Sequence, residues 1–383
     1  MNIAVIAVGY NRPDSMKRLL SSLSNADYCG DKVDLIVSID KGERQVEIVE
    51  VANNINWEYG DKHIRVFPER QGLRSHILQC GGLAKKYDAV IVLEDDIIVA
   101  QGFYSYCKQM IQYYDSDERI AGISLYKNRV AQGVYRLFEP SENAADVFFM
   151  QVAQSWGQCW TTRMWKEFET WYKANDKEIL PDETFPSYIT AWDRSWLKYN
   201  MKYVVENGKY FVYPYVSLST NHSDYGEHNA IDICDDYQVP MLEGTKSYRC
   251  CPLEEGVRYD IFFERMGIED KIFPELKGKK LLDLNGGRKL FGNADYLFSV
   301  QALPYRVIKE IRHCYRPLEF NLLNPAQGKG IFVYDLHTKA PKPKAPKQKW
   351  FLLKYDYRCI TWRRAVKYLS VELPLVFRRK LGF

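Results

Sequence analysis

The stretch that most constrains the fold of this chain is a short apolar run followed directly by three acids. Residues 89–93 are apolar and rich in β-branched types, which is typical of a strand buried on both faces of a parallel sheet. Glu94, Asp95 and Asp96 follow without a break. Three adjacent carboxylates repel one another, so they cost free energy unless a cation or a hydrogen-bonding ligand occupies the site. The alternative interpretation is a solvated acidic turn.

Strands and helices alternate through the first 125 residues. The sequence predicts apolar strands at residues 2–8, 33–39, 64–67, 89–93 and 120–125, with helical spacing between them. This alternation predicts an α/β fold with a mostly parallel central sheet and helices on both faces. Ligands of such sheets bind beyond the carboxyl ends of the strands, where the three acids fall. Their hard oxygen atoms suit Mn²⁺ or Mg²⁺, which would bridge a diphosphate.

No glycine-rich phosphate loop follows the first predicted strand. Residues 9–12 read Gly-Tyr-Asn-Arg, which matches neither GxGxxG nor GxxxxGK[ST]. A Rossmann dehydrogenase and a P-loop enzyme are therefore disfavoured. Phosphate neutralisation would have to come from a metal ion held by the acids.

The alternation ends after residue 125, where an aromatic-rich part of the chain begins. Six tryptophans fall between positions 156 and 196, and helix-like patterns are predicted at residues 187–199 and 303–312. We predict four regions, which are a nucleotide-sugar-binding α/β half (1–125), an acceptor-binding and catalytic half of the same domain with a C-terminal extension (126–336), a Lys/Pro linker (337–349) and a basic amphipathic tail (350–383).

The C-terminal part of the chain is strongly basic. Residues 337–383 carry thirteen Lys and Arg against two acids, whereas the preceding residues carry 40 basic and 47 acidic side chains. Basic residues mixed with Trp, Phe and Leu fit the anionic inner leaflet of a membrane. Pro374 is expected to interrupt any long helix there. The alternative is a tail that folds back onto the acidic remainder of the chain, and nucleic-acid binding is not expected because no known module is present.

Cysteine usage and hydropathy suggest where the protein works. The nine cysteines are odd in number and scattered, with no CxxC pair, which favours reduced thiols over a disulfide framework or structural zinc. No signal peptide or 18-residue apolar span is visible. We therefore expect a cytoplasmic protein, peripheral on the inner face of the cell membrane.

Over roughly residues 1–235 the order of features resembles a GT-A nucleotide-sugar glycosyltransferase. The similarity is greatest to the N-acetylglucosaminyltransferase I family and to related bacterial surface-polysaccharide glycosyltransferases. The resemblance implies that Asp96 binds Mn²⁺ or Mg²⁺, while Glu94 and Asp95 contact the ribose and the donor sugar.

The same resemblance implies further donor-binding residues. They are Arg12 near the uracil, Asp40 on the base, His76 on the nucleotide, Trp156 beside the sugar, and His222 and His228 in a loop that orders over the donor. Other interpretations stay open, because an aspartate such as Asp40 often caps a turn and loop histidines are often merely solvated.

Asp193 is the residue that the resemblance implies as the catalytic base. The family carries an aromatic-Trp-Asp-Asp-Trp segment, whereas residues 191–196 read Ala-Trp-Asp-Arg-Ser-Trp, without the second Asp and with one residue inserted. A carboxylate in an aromatic, partly dry pocket would suit proton transfer from an acceptor hydroxyl. The alternative is a helix-surface aspartate that pairs with Arg194 or Lys198.

Together these features predict an inverting, metal-dependent glycosyltransferase of surface polysaccharide synthesis. It would move a sugar from a nucleotide-diphosphate donor, a UDP-sugar in the first instance, to a glycan or lipid-linked acceptor. Two alternatives remain, a sugar-phosphate nucleotidyltransferase and a non-catalytic carbohydrate-binding or assembly protein.

Overall fold

The computed structural model of the 383-residue chain describes residues 1–180, 182–193, 195–222, 224, 237–344, 352–353, 355–357 and 361–381. The chain divides into two compact units. The first is Met1–Asp270 with Gly287–Gly292, and the second is Lys271–Gly286 with Asn293–Phe383. The division at Asp270 falls inside the range predicted as the acceptor half.

The first unit contains a large sheet and its covering helices. Its strands are β1 (Ile3–Gly9), β2 (Asp34–Ile39), β3 (Lys62–Val66), β4 (Ala89–Glu94), β5 (Ile97–Val99), β6 (Ile120–Ser124), β7 (Val130–Ala131), β8 (Arg136–Leu137), β9 (Val147–Met150), β10 (Gln158–Thr161), β11 (Tyr210–Pro214), β12 (Ser219–Asn221), β13 (Arg258–Tyr259) and β14 (Arg265–Met266). Its helices are α1 (Pro13–Ser24), α2 (Gln45–Asn54), α3 (Leu73–Gly81), the 3₁₀ helix Gly82–Lys85, α4 (Phe103–Tyr114), α5 (Thr162–Asn175), α6 (Ser187–Thr190) and α7 (Trp196–Glu206).

The main sheet is mixed but mostly parallel. In the described part of the chain its order is β14-β13-β9-β11-β6-β10-β4-β1-β2-β3. Strands β3, β2, β1 and β4 are parallel neighbours, and β10 is antiparallel to both β4 and β6. Since β11 is parallel to β6, the carboxyl ends of all these strands except β10 lie along one edge. The predicted α/β class is confirmed.

Helices cover both faces of this sheet. The chain adds β2 and β3 on one side of β1 and then returns to place β4 on the other side. With right-handed crossovers, this reversal puts α1 and α2 on one face and α3 on the other. The packing agrees, because α1 contacts α2 whereas α3 and α5 both contact α7.

The centre of the sheet is built from buried apolar side chains. All seven residues of β1 are buried, as are the five apolar residues of β4. Helix α1 begins at Pro13, whose fixed φ suits a first helical turn. Its residues Met16, Leu19, Leu20 and Leu23 recur at helical spacing and are fully buried. The edge where β1 and β4 end is thus held firmly in place.

The prediction of one helix over residues 187–199 is wrong. Helix α6 ends at Thr190 and α7 begins at Trp196. Ser195 lies between them in an extended conformation, and its Oγ accepts a hydrogen bond from the Lys198 N–H at 3.2 Å. This N-cap starts a new helix, because a serine side chain competes with the backbone for such bonds.

The second unit contains a separate four-stranded sheet. Its elements are β15 (Lys280–Asp283), β16 (Tyr296–Ser299), β17 (Tyr305–Arg312), β18 (Gly330–Lys339), α8 (Phe320–Leu323) and α9 (Trp362–Leu381). The sheet order is β15-β16-β18-β17. The helix predicted over residues 303–312 is therefore wrong. Strand β17 is antiparallel to β18 along most of its length, and this tertiary pairing overrides a weak local pattern.

Helix α9 also corrects an expectation about the tail. It continues through Pro374, which was expected to interrupt it. The helix is exposed on both sides of this residue, so water can bond to the carbonyl group that loses its partner. Among the helices that the structure describes, none has the length and apolar character needed to span a bilayer.

Candidate active site

The three acids lie at the carboxyl end of β4, beside the end of β1. Glu94 is in register with Val8, and the chain continues past Gly9 to Arg12 at the start of α1. The Arg12 guanidinium bonds Asp95 and lies 3.2 Å from an Asp96 oxygen. Asp95 is only 3% exposed. The acids are therefore packed against the protein, and the solvated acidic turn is not what forms.

Burial shifts the pKa values of the acids and of Arg12 at this site. Burial, followed by the charges of Asp96 and Asp95, raises the pKa of Glu94 from its usual 4.5 to about 8. Burial also raises the pKa of Asp95 to about 6, although Arg12 opposes this shift. For Arg12, burial lowers the pKa, but the surrounding carboxylates outweigh burial and raise it. One guanidinium thus faces three acids.

Two carboxylate oxygens at this point lack a hydrogen-bond donor. Asp95 Oδ2 and Asp96 Oδ1 are buried and have no hydrogen-bond partner among the described residues. Buried polar atoms of this kind are rare in native proteins and often mark an ion or ligand. Carboxylate oxygens suit Mn²⁺ and Mg²⁺, so the donor set fits such a cation. The described residues contain no ready-made group of three His, Cys, Asp or Glu ligands, so ligand oxygens and water would have to complete the coordination.

Strand β12 brings His222 to the same place. Strand β12 pairs with β5, which follows the acids directly, and the His222 backbone N–H donates to the Asp96 carbonyl oxygen at 2.8 Å. His222 Nδ1 lies 3.0 Å from Asp224, which also accepts a bond from Ser15 and pairs with Arg18 on α1. The fold therefore brings His222, predicted to bind the donor, next to Asp96, predicted to bind the metal, and both roles stay predictions; His228 lies outside the described residues.

Trp156 lies in an aromatic group tied to β12. It is half-buried, and its ring centre is 4.7 Å from those of both Tyr126 and Tyr237. Its carbonyl oxygen accepts a bond from Ser219 Oγ at 2.6 Å. Gly157 follows with φ of +99°, where a side chain would be strained. These contacts fix the indole in place, and its position beside the donor sugar stays a prediction.

Asp40 organises the loop that leads into α3. Its Oδ1 accepts bonds from the N–H groups of Lys41 at 2.8 Å and Gln71 at 2.7 Å, and its Oδ2 accepts from Gly72 at 2.9 Å. Asp40 is 3% exposed. Asp40 therefore caps this loop, as the alternative interpretation expected. Its contact with a base stays a prediction.

His76 is buried beneath the end of β2 and gives a pH-dependence prediction. Its Nε2 lies 2.7 Å from Ser38 Oγ, and burial lowers its pKa from 6.5 to about 4. Between these values the unfolded chain binds a proton that the folded chain does not. We therefore expect the contribution of His76 to stability to fall by about 1.4 kcal/mol per unit as pH drops from 6.5 towards 4, while Glu94 and Asp95, whose pKa values burial raises, act in the opposite direction. Denaturant titrations of wild type and His76→Asn at pH 7 and pH 5 measure this difference.

The exposed His63 provides the control for that experiment. His63→Asn should keep the wild-type pH dependence, whereas His76→Asn should be more stable relative to wild type at pH 5 than at pH 7. An unchanged slope in His76→Asn would show that this buried histidine does not take up the proton on unfolding.

Asp193 stands apart from these residues. It is exposed in the turn between α6 and α7, and no hydrogen bond or ion pair is recorded for its side chain among the described residues. This exposure does not match the partly dry pocket expected around Asp193. Lys198 bonds the Thr190 carbonyl oxygen instead, at 3.3 Å. The role of Asp193 as a base stays a prediction that requires a bound ligand to exclude water from it.

Gln158 is a residue that the sequence reasoning missed. It is fully buried in β10, and neither its amide nitrogen nor its amide oxygen has a hydrogen-bond partner in the described structure. It is in register with Val92, two residues before Glu94, so all three side chains point to the same face of the sheet. One hint of its importance is visible in the sequence, which is a polar glutamine directly after a glycine at the start of a short strand.

Replacing Gln158 by an apolar residue should stabilise the protein. Gln158→Met removes unsatisfied polar atoms, so we expect the free energy of unfolding to rise by about 1 kcal/mol. Gln154→Met is the matched control, because Gln154 bonds Asn128 and Ser155 and its loss should destabilise the protein. Denaturant titration tests both expectations. A less stable Gln158→Met protein would mean that the amide has partners.

Comparisons with known proteins give only distant likenesses. No protein-family model and no curated protein matches this sequence. Among solved structures, S. aureus TarS 1–349 in complex with UDP-GlcNAc is similar at 15% identity and a TM-score of 0.40, over 61% of this chain and 62% of that chain. The mannosyltransferase PcManGT from Pyrobaculum calidifontis in complex with GDP-Man and Mn²⁺ is similar at 13% identity and a TM-score of 0.32, over 44% and 46%. The chain thus spans less than two thirds of these structures, and TM-scores below 0.5 establish neither family nor function.

Proposed function

We propose that this protein is a metal-dependent glycosyltransferase with a GT-A arrangement that uses a nucleotide-diphosphate sugar. The observation that carries the proposal is the pair of buried carboxylate oxygens on Asp95 and Asp96, which have no hydrogen-bond partner among the described residues. They lie where ligands bind to parallel sheets, at the carboxyl end of a central strand. A cation at this point would supply the missing partner of both oxygens.

The roles of the residues follow from their positions. Asp96 and Asp95 would hold Mn²⁺ or Mg²⁺, which when bound neutralises the charge that develops on a diphosphate leaving group. Arg12 neutralises the charge that remains on the acids. His222 is held beside Asp96 by Asp224 and would contact the diphosphate. Inversion would require a base on the opposite side of the sugar, for which Asp193 is the candidate.

A donor screen tests this proposal. The full-length protein is incubated with UDP- and GDP-sugars and Mn²⁺, and release of nucleoside diphosphate is followed with and without candidate glycan acceptors. Release that depends on both Mn²⁺ and a sugar donor supports a glycosyltransferase. Pyrophosphate release from a nucleoside triphosphate and a sugar phosphate would instead indicate a nucleotidyltransferase. No metal-dependent nucleotide binding would indicate a non-catalytic protein.

Helix α9 supports a peripheral place on an anionic membrane as part of the proposal. Five of its exposed apolar residues recur at helical spacing along one side, whereas Tyr368 and Val371 are exposed away from that side; the five are Trp362, Val366, Leu369, Leu373 and Phe377. Arg363, Arg364 and Lys367 lie among them. Such a helix can lie in the interface with its apolar side buried and its basic residues near lipid phosphates.

Charge placed on that apolar side should release the protein from vesicles. Leu369→Asp is expected to lower partitioning onto phosphatidylserine vesicles by about tenfold, because it loses apolar burial and adds repulsion. Val371 is exposed on the opposite side of the helix, so Val371→Asp is the matched control. Vesicle sedimentation measures both. Equal losses in the two variants would contradict an oriented interfacial helix.

A further inference from the structure

A basic groove lies in the first unit, away from the candidate active site. It encloses about 980 Å³ between α3, the 3₁₀ helix and α5, with the outermost strand β3 along one side. None of the acids at the end of β4, and neither His222 nor Trp156, lines it. The groove therefore has no part in the roles assigned above.

Positive charge dominates the lining of the groove. Five cationic side chains face two acids, and these cations are Arg65, Arg74, Lys85, Lys86 and Lys173. One acid, Glu169, is shared by Lys85 at 2.6 Å and Lys173 at 3.3 Å, and the other, Asp176, lies 3.7 Å from Arg74. Arg65 bonds the neutral side chain of Gln79. The groove thus keeps a positive balance that an anionic ligand would complement.

Two N–H donors in the groove lack acceptors. Trp165 is 1% exposed, and its Nε1 has no hydrogen-bond partner within the part of the chain that the structure describes. The same holds for Arg74 Nε. The indole packs closely against Gly81, where an added Cβ would lie 2.1 Å from its ring. Both residues line the groove, so their N–H groups add to the positive potential that an anion would meet there.

We propose that this groove binds the phosphate groups of an anionic glycan that serves as the acceptor. The cationic side chains of the groove can bond phosphate oxygens, and Tyr87 and Tyr172 in the wall offer aromatic faces for sugar rings. That the ligand is an acceptor rests on the proposed glycosyltransferase function. Binding of the phosphate chain does not, and it can be measured alone.

Inorganic tripolyphosphate is the probe for the groove. It is titrated calorimetrically into the full-length protein in EDTA, which prevents metal-dependent binding at the acids. Lys86→Glu at the rim should weaken binding by about tenfold. Lys166→Glu, an exposed lysine on α5 outside the groove, is the matched control and should bind normally. Asp96→Ala should also bind normally.

The outcomes separate this proposal from the function of the acids. No binding by wild type, equal weakening in Lys166→Glu, or loss in Asp96→Ala would overturn a phosphate site in the groove. If orthophosphate binds as tightly as tripolyphosphate, the groove is a site for single free anions. That result would overturn the proposal of a polymeric ligand. With an active donor in hand, Lys86→Glu should raise the KM for a phosphate-bearing acceptor glycan but not for a neutral one.

Discussion

Asp96→Ala should lower metal-dependent turnover by about 10³-fold or more. Asp96 supplies one of the two buried oxygens that lack a partner among the described residues, and it is expected to bind the cation directly. Charge neutralisation by a bound metal ion contributes several kcal/mol to a transition state, which corresponds to a loss of this size. Steady-state release of nucleoside diphosphate at saturating Mn²⁺ measures the effect.

Asp14→Ala is the control for that measurement. Asp14 is an exposed aspartate in the first turn of α1, two residues from Arg12, and should be replaceable with little change in rate. Asp96→Ala must also remain folded, which thermal unfolding checks. A folded Asp96→Ala enzyme that turns over at the wild-type rate would contradict the assigned metal ligand.

Arg12→Leu should destabilise the protein by about 3 kcal/mol without metal. Removing one partner of a buried charge pair leaves the other charges uncompensated, and Asp95 is almost fully buried. The lower end of the usual range applies because the Arg12 side chain is 25% exposed. Without the guanidinium the acids attract a cation more strongly, so Mn²⁺ should stabilise Arg12→Leu more than wild type. Denaturant titrations with and without Mn²⁺ measure both effects.

Arg44→Leu is the matched control for the arginine. Arg44 pairs with Glu47 on α2, and both side chains are about half exposed, so this pair should contribute little to stability. Mn²⁺ should act on this variant as on wild type. Equal stabilisation of Arg12→Leu and wild type by Mn²⁺ would mean that the acids do not hold the cation.

The sheet was predictable from the sequence because its strands carry strong local signals. Residues 89–93 are apolar on both faces, and a strand of that kind is typical of the interior of a sheet that is covered on both sides. The acids at its end could be placed at the ligand-binding edge by the same reasoning. Strand β17 could not be predicted, because its register is set by pairing with β18 rather than by its own residues.

The contacts between side chains of the candidate site were harder to predict from the sequence. Arg12 lies against Asp95 and Asp96 because β1 and β4 are neighbours and end together, a pairing that no sequence motif indicates, and its place near a base stays a prediction. Gln158 has no sequence motif, and only its burial without recorded hydrogen bonds draws attention to it. The surroundings of Asp193 depend on the N-cap at Ser195, one serine in a stretch that otherwise has helical spacing.

Binding of nucleoside diphosphates with and without Mn²⁺ tests the central claim most directly. UDP and GDP are titrated into the wild-type protein and into Asp96→Ala, once with Mn²⁺ and once with EDTA. A cation at the end of β4 predicts tight binding of one nucleotide by wild type with Mn²⁺, and weak binding when either Mn²⁺ or the Asp96 carboxylate is absent. Equal affinity in EDTA, or no nucleotide binding under any condition, would contradict it.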